Sequence, residues 1–212
     1  MNEYNLRKQE LLAYTKQAYN EALFAGTSGN LSTYDALTGI ILITPSSVPY
    51  ATMTEDDIMA IKLDGTITEG KHRPSSEWRM HAEIYKARPE IRAIVHTHSP
   101  YATSFAVSHE IIPVILIEMI PFLRGDIQIA GFAIPGTEEV GREAIKKLND
   151  RNACLLANHG VVTIGANLAQ AHIRALYAED AAKIYSLAKS NGNVVTIPPE
   201  YVKIMLDKYK TI

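Results

Sequence analysis

Along the whole chain, short apolar runs of strand length alternate with longer segments of helical periodicity. This alternation confines the fold to layered α/β or α+β architectures. Residues 31–34, 40–44, 60–63, Ala93–Thr97, 114–118, 129–132, 153–157 and 161–164 are each too short for a buried helix, and they predict strands. Asp64-Gly65 marks a turn after the third of them. Between the strands lie helical patterns. Leu6, Leu11, Leu12, Ala18, Tyr19, Ala22 and Leu23 recur at helical spacing up to a stop at Gly26. Thr54 caps a short acidic turn, residues 76–88 form a helix ended by Pro89, and Ser99-Pro100 opens another. Thr137 caps a helix running to about Leu148, a long helix spans 168–189 before Asn191-Gly192, and a last one starts near Pro198-Pro199. So many short strands in succession favour a sheet with antiparallel pairs.

No repeat, low-complexity tract or Pro/Gly-rich linker divides the 212 residues, so a single domain over 1–212 is expected. The net charge of −2, with no block of basic residues, argues against nucleic acid as a partner. The apolar runs fall far short of a membrane span, and Glu10 interrupts any leader-like stretch, so no membrane partner is expected. The one cysteine, Cys154, lies in an apolar run and reads as a buried small hydrophobe. Together these features predict a soluble, cytoplasmic protein.

Chemistry concentrates in a few places. In His96-Thr97-His98, at the end of a predicted strand, two imidazoles share one face and can reach one metal ion, although packing alone also explains such a pair. His159 follows another apolar strand and precedes Gly160, which permits close backbone approach. Three imidazoles with one open position are the ligand set of a catalytic zinc site. The remaining histidines, His72, His81, His109 and His172, read as surface or helix-face residues. Glu77 opens a helix; the helix dipole alone accounts for an acid there, and acid/base work beside a metal is the other reading. Three hydroxyl-rich turns, 26–30, 44–47 and Ser75-Ser76, have the character of anion cradles, each also readable as an ordinary turn.

Taken in order, Gly26-Thr27-Ser28-Gly29-Asn30-Leu31-Ser32, Leu42-Ile43-Thr44-Pro45, Glu69-Gly70, Pro74-Ser75-Ser76-Glu77-Trp78, Val95-His96-Thr97-His98, Pro135-Gly136-Thr137 and Asn158-His159-Gly160 resemble the class II aldolase/epimerase family. That family includes L-fuculose-phosphate aldolase, L-rhamnulose-phosphate aldolase, L-ribulose-phosphate 4-epimerase and the adducin heads. The likeness covers nearly the whole chain and is nearest to the fuculose branch. It implies a three-layer α/β/α sandwich around a mostly antiparallel sheet. It implies one zinc ion on His96, His98 and His159, with Glu77 as metal neighbour and proton carrier. It implies that Gly29, Asn30, Ser46, Ser47, Ser75 and Ser76 bind the phosphate of a small sugar-phosphate substrate. It also implies a homotetramer with sites between subunits, and cleavage of a ketose 1-phosphate such as L-fuculose 1-phosphate to dihydroxyacetone phosphate and L-lactaldehyde.

The aldehyde side departs from the fuculose pattern. A tyrosine expected within 115–119 is absent, where Ile117 and Glu118 stand; Pro135 replaces a phenylalanine; and Tyr209 is the near substitute for a C-terminal tyrosine before Thr211-Ile212. Three alternatives follow from the same family: a 4-epimerase, a decarboxylase or dehydratase, and a non-catalytic, adducin-like interaction domain. Epimerases of the family carry Asp at the position of Glu77, which favours the aldolase. The interaction domain has no use for the three histidines.

Overall fold

The protein is described by a computed structural model covering residues 3–209. Its eight strands are β1 (Asn30–Asp35), β2 (Ile40–Ile43), β3 (Met59–Lys62), β4 (Ile67–Glu69), β5 (Ala93–Thr97), β6 (Gln128–Ala130), β7 (Ala153–Leu156) and β8 (Gly160–Gly165). They form one sheet in the order β4-β3-β2-β1-β5-β8-β7-β6. Every neighbouring pair is antiparallel except β6 with β7, so the sheet is mixed but mostly antiparallel. The helices are α1 (Glu3–Asn20), α2 (Trp78–Ala87), α3 (Pro100–Ser108), α4 (Glu138–Leu148), α5 (Leu168–Asn191) and α6 (Pro199–Lys208). Among the described residues no helix is long and apolar enough to cross a membrane.

The period-two pleat sorts the strand residues onto two covered faces. On one face Ile41, Ile43, Met59, Ile61, Ile94, Val162 and Ile164 pack under α2 and α4. On the other, Leu31, Leu42, Ala60, Ala93 and Val95 lie against α1 and the first half of α5. Ala153, Leu155 and Val161 on that same face meet α3 and the second half of α5. The result is the α/β/α sandwich that the family resemblance implied. Because both faces of the central strands are covered, those strands read as continuous apolar runs and not as alternating ones.

Local chemistry sets most ends. Asn167 caps α5 by accepting from the Gln170 N–H at 2.9 Å, and Ser99-Pro100 starts α3. Thr54 and Asp57 form a reciprocal capping box around a single 3-10 turn, Glu55–Asp57. The first helix stops at Asn20, with Ala22 left-handed at φ 59°, and not at Gly26.

One expected strand is absent. Residues 114–118 lie outside the sheet and lead into a π-turn, Met119–Leu123. Pro113 and Pro121 flank the run and remove backbone donors, so ladder pairing stops at an isolated Ile112–Ile127 bridge. Val114, Ile115 and Leu116 pack instead as side chains on the α3–α5 core. The segment expected at 129–132 pairs only as Gln128–Ala130. The sequence carries no sign of the strand Ile67–Glu69, a three-residue exposed edge without an apolar pattern.

Helices α2 and α4 cross where α4 carries Gly141. A Cβ there would sit 2.7 Å from Glu83 Cβ, 3.0 Å from the Met80 carbonyl oxygen and 3.1 Å from Met80 Cα. Gly141→Ala should therefore destabilise the protein by about 1–3 kcal/mol, despite a helix-propensity gain of about 1 kcal/mol. Thermal denaturation should show a melting temperature lowered by several degrees; a raised one would contradict the close crossing.

Candidate active site

The site forms where β1, β5, the β7–β8 turn and the start of α2 meet. Asn30 pairs with His96 and Ser32 with Ile94 across β1 and β5. His96 therefore shares the face of Ile94, the face covered by α2, and is fully buried. His98 follows just beyond the strand. His159 sits on the turn between β7 and β8, placed by left-handed Asn158 (φ 55°) and by its N–H donating to the Leu156 carbonyl at 3.0 Å. Gly160 is required next: a Cβ would lie 2.3 Å from the Thr97 carbonyl oxygen and within 3.2 Å of the His96 ring. Glu77 occupies the N-cap position of α2.

These four side chains converge. One ligand atom from each of Glu77, His96, His98 and His159 lies within 4.8 Å of all the others. His96 Nε2 is 2.9 Å from Glu77 Oε2 and 3.1 Å from His98 Nε2, and His159 Nε2 is 3.2 Å from Glu77 Oε1. His96 Nδ1 lies 3.0 Å from the Val161 carbonyl oxygen. A carbonyl only accepts, so Nδ1 carries the hydrogen and Nε2 turns its lone pair into the cluster. With Nε2 deprotonated, as in a ligating imidazole, His96, His98 and Glu77 would turn lone pairs toward one another, and a cation between them would relieve the repulsion.

Two further observations fit a metal. Glu77 Oε1 is buried and lacks an aligned hydrogen-bond partner. Burial, followed by the charges of His96 and His159, pushes the His98 pKa down to about 3, so its imidazole is in the neutral, ligating form. Burial acts to raise the Glu77 pKa, but His96 and His159 outweigh it and hold the carboxyl well below its ordinary range. Three imidazoles, a carboxylate and an open side match a catalytic site for a divalent cation.

A cavity of about 390 Å³ opens beside the cluster, lined by Gly29, Asn30, Ser46, Ser47, Ser75, Ser76, Glu77, His98, Pro135 and His159 among others. All six residues singled out as phosphate contacts therefore face one space. Its shape depends on unusual backbone: Gly29 at φ 76°, where a Cβ would strike Phe24 and the His96 carbonyl, and Ser47 at φ 61°. Tyr50 ties the first turn down by donating to the Gly29 carbonyl at 2.5 Å. The Ser46 N–H donates to the Arg73 carbonyl and the Ser75 N–H to the Thr44 carbonyl, which bind the other two turns together.

The other histidines stay outside the cluster. His72 pairs with Asp57 and His109 with Asn158, both at the surface. His81 and His172 are buried, against the surface reading, and His81 reaches Asn30 at 2.5 Å. Sequence reasoning missed His81. Its signal was the spacing of Glu77, His81 and Tyr85 along one helical stripe. On the aldehyde side, Pro135 lines the cavity and Ile117 is exposed. Tyr209 follows α6, and Thr211-Ile212 lie outside the described residues.

Added divalent metal should raise the melting temperature of the wild-type chain, because it binds the folded site and not the unfolded chain. His96→Ala and His159→Ala should each lose that response and copurify with less metal by elemental analysis. An unchanged metal content in both variants would refute the convergent site.

The fold agrees with comparisons to known proteins. Residues 9–186 match the model of the Class II Aldolase and Adducin N-terminal domain. The 5-deoxy-D-ribulose 1-phosphate aldolase of Bacillus thuringiensis serovar kurstaki is 34% identical over 203 residues, covering 96% of this chain and 95% of that one. The 5-methylthioribulose-1-phosphate/5-deoxyribulose-1-phosphate aldolase of Rhodospirillum rubrum is 35% identical over 201 residues, covering 95% and 90%. A solved L-fuculose 1-phosphate aldolase superposes with a TM-score of 0.92 at 39% identity over 96% of each chain. The match to the family model, the near full-length identity to these aldolases and the shared fold establish that the chain belongs to the class II aldolase and adducin N-terminal domain family.

Proposed function

We propose that the protein is a zinc-dependent class II aldolase that reversibly splits a short, methyl-ended ketose 1-phosphate into dihydroxyacetone phosphate and a small aldehyde. The observation that carries this reading is the convergence of His96, His98, His159 and Glu77 at one wall of a cavity whose other walls are hydroxyls and turn backbone.

Breaking the carbon–carbon bond beta to a ketone leaves an electron pair on the carbon next to the carbonyl. A zinc ion held by His96, His98 and His159 supplies Lewis-acid stabilisation of that charge, a contribution of several kcal/mol. The turns bearing Gly29, Asn30, Ser46, Ser47, Ser75 and Ser76 hold the phosphate and fix the reacting carbons in advance. Among the described residues no Lys or Arg lines this cavity, so neutral donors bind the phosphate there. Glu77 carries the proton to and from the dihydroxyacetone phosphate carbon. Its Oε1 lacks an aligned hydrogen bond, whereas Oε2 already accepts from Asn30 Nδ2 at 3.1 Å.

The aldehyde half selects the sugar. With no tyrosine at 115–119 and Pro135 on the cavity wall, this side favours a small aldehyde such as acetaldehyde or lactaldehyde. The substrates named for the relatives, 5-deoxyribulose 1-phosphate and L-fuculose 1-phosphate, both end in a methyl group. We place the deoxypentulose first. Phe132 and Ile134, exposed just before Pro135, give a neighbouring subunit an apolar surface to cover, in keeping with a homotetramer whose sites lie between subunits. A cytoplasmic location, with sugar-phosphate breakdown as its task, completes the reading.

Zinc-loaded enzyme should release dihydroxyacetone phosphate from 5-deoxyribulose 1-phosphate or L-fuculose 1-phosphate in a coupled reductase assay. Formation of a 4-epimer or of carbon dioxide, with no triose phosphate, would move the protein to the epimerase or decarboxylase reading. Failure of every ketose phosphate to react, together with an absence of bound metal, would favour an interaction domain. Glu77→Gln should keep the fold and slow proton exchange on dihydroxyacetone phosphate by about 10²–10⁴-fold.

A further inference from the structure

Behind the cluster the structure holds a second set of polar groups. On β1, Asn30, Ser32 and Tyr34 share one face; on the facing stripe of α2 stand Glu77, His81 and Tyr85, four residues apart. Tyr34 and Tyr85 stack with ring centroids 5.0 Å apart and close the far end. Between them run consecutive contacts. Tyr85 Oη is 2.7 Å from Ser32 Oγ, Ser32 Oγ is 2.6 Å from His81 Nδ1, His81 Nε2 is 2.5 Å from Asn30 Oδ1, and Asn30 Nδ2 is 3.1 Å from Glu77 Oε2. All five side chains are buried, with His81 and Ser32 wholly inaccessible.

We propose that Tyr85, Ser32, His81 and Asn30 form one directed hydrogen-bond chain that terminates on Glu77 Oε2, making His81 a positioning residue for the acid/base carboxylate. The direction follows from donor counting. An ionised carboxylate only accepts, so Asn30 must turn its NH₂ toward Glu77 and its Oδ1 toward His81. Oδ1 also only accepts, so His81 Nε2 carries the hydrogen. A neutral imidazole has one N–H, so Nδ1 accepts the hydroxyl hydrogen of Ser32. That hydrogen is then used, so Tyr85 Oη is the donor here, its hydrogen placed between Ser32 Oγ at 2.7 Å and the Ser32 carbonyl at 3.1 Å. Burial, followed by the charge of His96, pushes the His81 pKa down to about 3, in agreement with a neutral ring. With a neutral ring, reversing the chain would set Asn30 Oδ1 against the carboxylate.

The chain has a consequence for the reaction. Asn30 fixes Oε2 at 3.1 Å, and with it the plane in which Glu77 presents its carboxylate to the substrate's proton. This rests on the reading of Glu77 as the proton carrier; His81 itself does not line the cavity.

Two measurements test it. The first is the nitrogen-15 spectrum of histidine in the wild-type protein, with and without zinc. His81 should show a protonated Nε2 and an unprotonated Nδ1 across neutral pH in both forms; a protonated Nδ1 or an imidazolium would overturn the chain. The second uses solvent deuterium exchange into dihydroxyacetone phosphate. His81→Phe should lower kcat for exchange by about 10–100-fold with little change in KM or zinc content. His81→Gln, which can still donate to Asn30 and accept from Ser32, should recover most of the loss. Wild-type exchange in zinc-loaded His81→Phe would overturn the proposal, and so would a loss that follows zinc content alone. Should His81→Phe fail to fold, Ser32→Ala takes its place: it leaves Nδ1 without its donor and should slow exchange at full zinc content, and an unaltered exchange rate would overturn the proposal. Glu77→Gln separates the two readings. If it exchanges at the wild-type rate, the role of Glu77 itself is wrong; if it is slow while His81→Phe is fast, only the chain is wrong.

Discussion

The antiparallel register that sets Asn30 opposite His96 across β1 and β5 underlies everything at the site. It places Asn30, Ser32 and His96 on the face covered by α2, and Leu31, Ala93 and Val95 on the face covered by α1 and α5. A slip of one residue would exchange the two sets, burying leucine against Glu77 and the histidine in an apolar layer. The large apolar residues of both faces therefore enforce the polar geometry. Gly160 and Gly29 lock the same register from either side, since a Cβ at either would press on the backbone carbonyl of Thr97 or His96.

The polar cluster costs stability in return. Three imidazoles and a carboxylate lie close together in a largely buried place, and Oε1 of Glu77 has no aligned partner. An unsatisfied buried acceptor costs on the order of 1–3 kcal/mol. The sandwich tolerates it because the remaining core is apolar and continuous on both faces of the sheet. A metal-binding site of this kind converts that cost into affinity, since the cation binds ligands that are already desolvated and aimed.

Much of this was legible in the sequence. Ala93–Thr97 reads as a strand from its β-branched run, and α3, α4 and α5 announce themselves by Ser99-Pro100, Thr137 and the long periodic stretch before Asn191-Gly192. The run at 114–118 misled, because apolar content alone does not distinguish a ladder strand from an irregular segment pinned between Pro113 and Pro121 and buried by its side chains. His81 was legible only as a helical residue. Its neighbours Asn30 and Ser32 lie 51 and 49 positions away, and nothing local signals them.

By itself the sequence determined the alternation of strands and helices and the chemistry available: three candidate imidazoles, one carboxylate at a helix start and three hydroxyl-rich turns. These are properties of local pattern and side-chain type. The tertiary structure alone decided that residues as distant as Asn30, Glu77, His96 and His159 meet, that six turn residues line one cavity, and that a tyrosine–serine–histidine–asparagine row runs behind the carboxylate. Those facts depend on strand order and register. They are fixed by how whole faces of the sheet bury their apolar residues, and no short stretch of sequence encodes them.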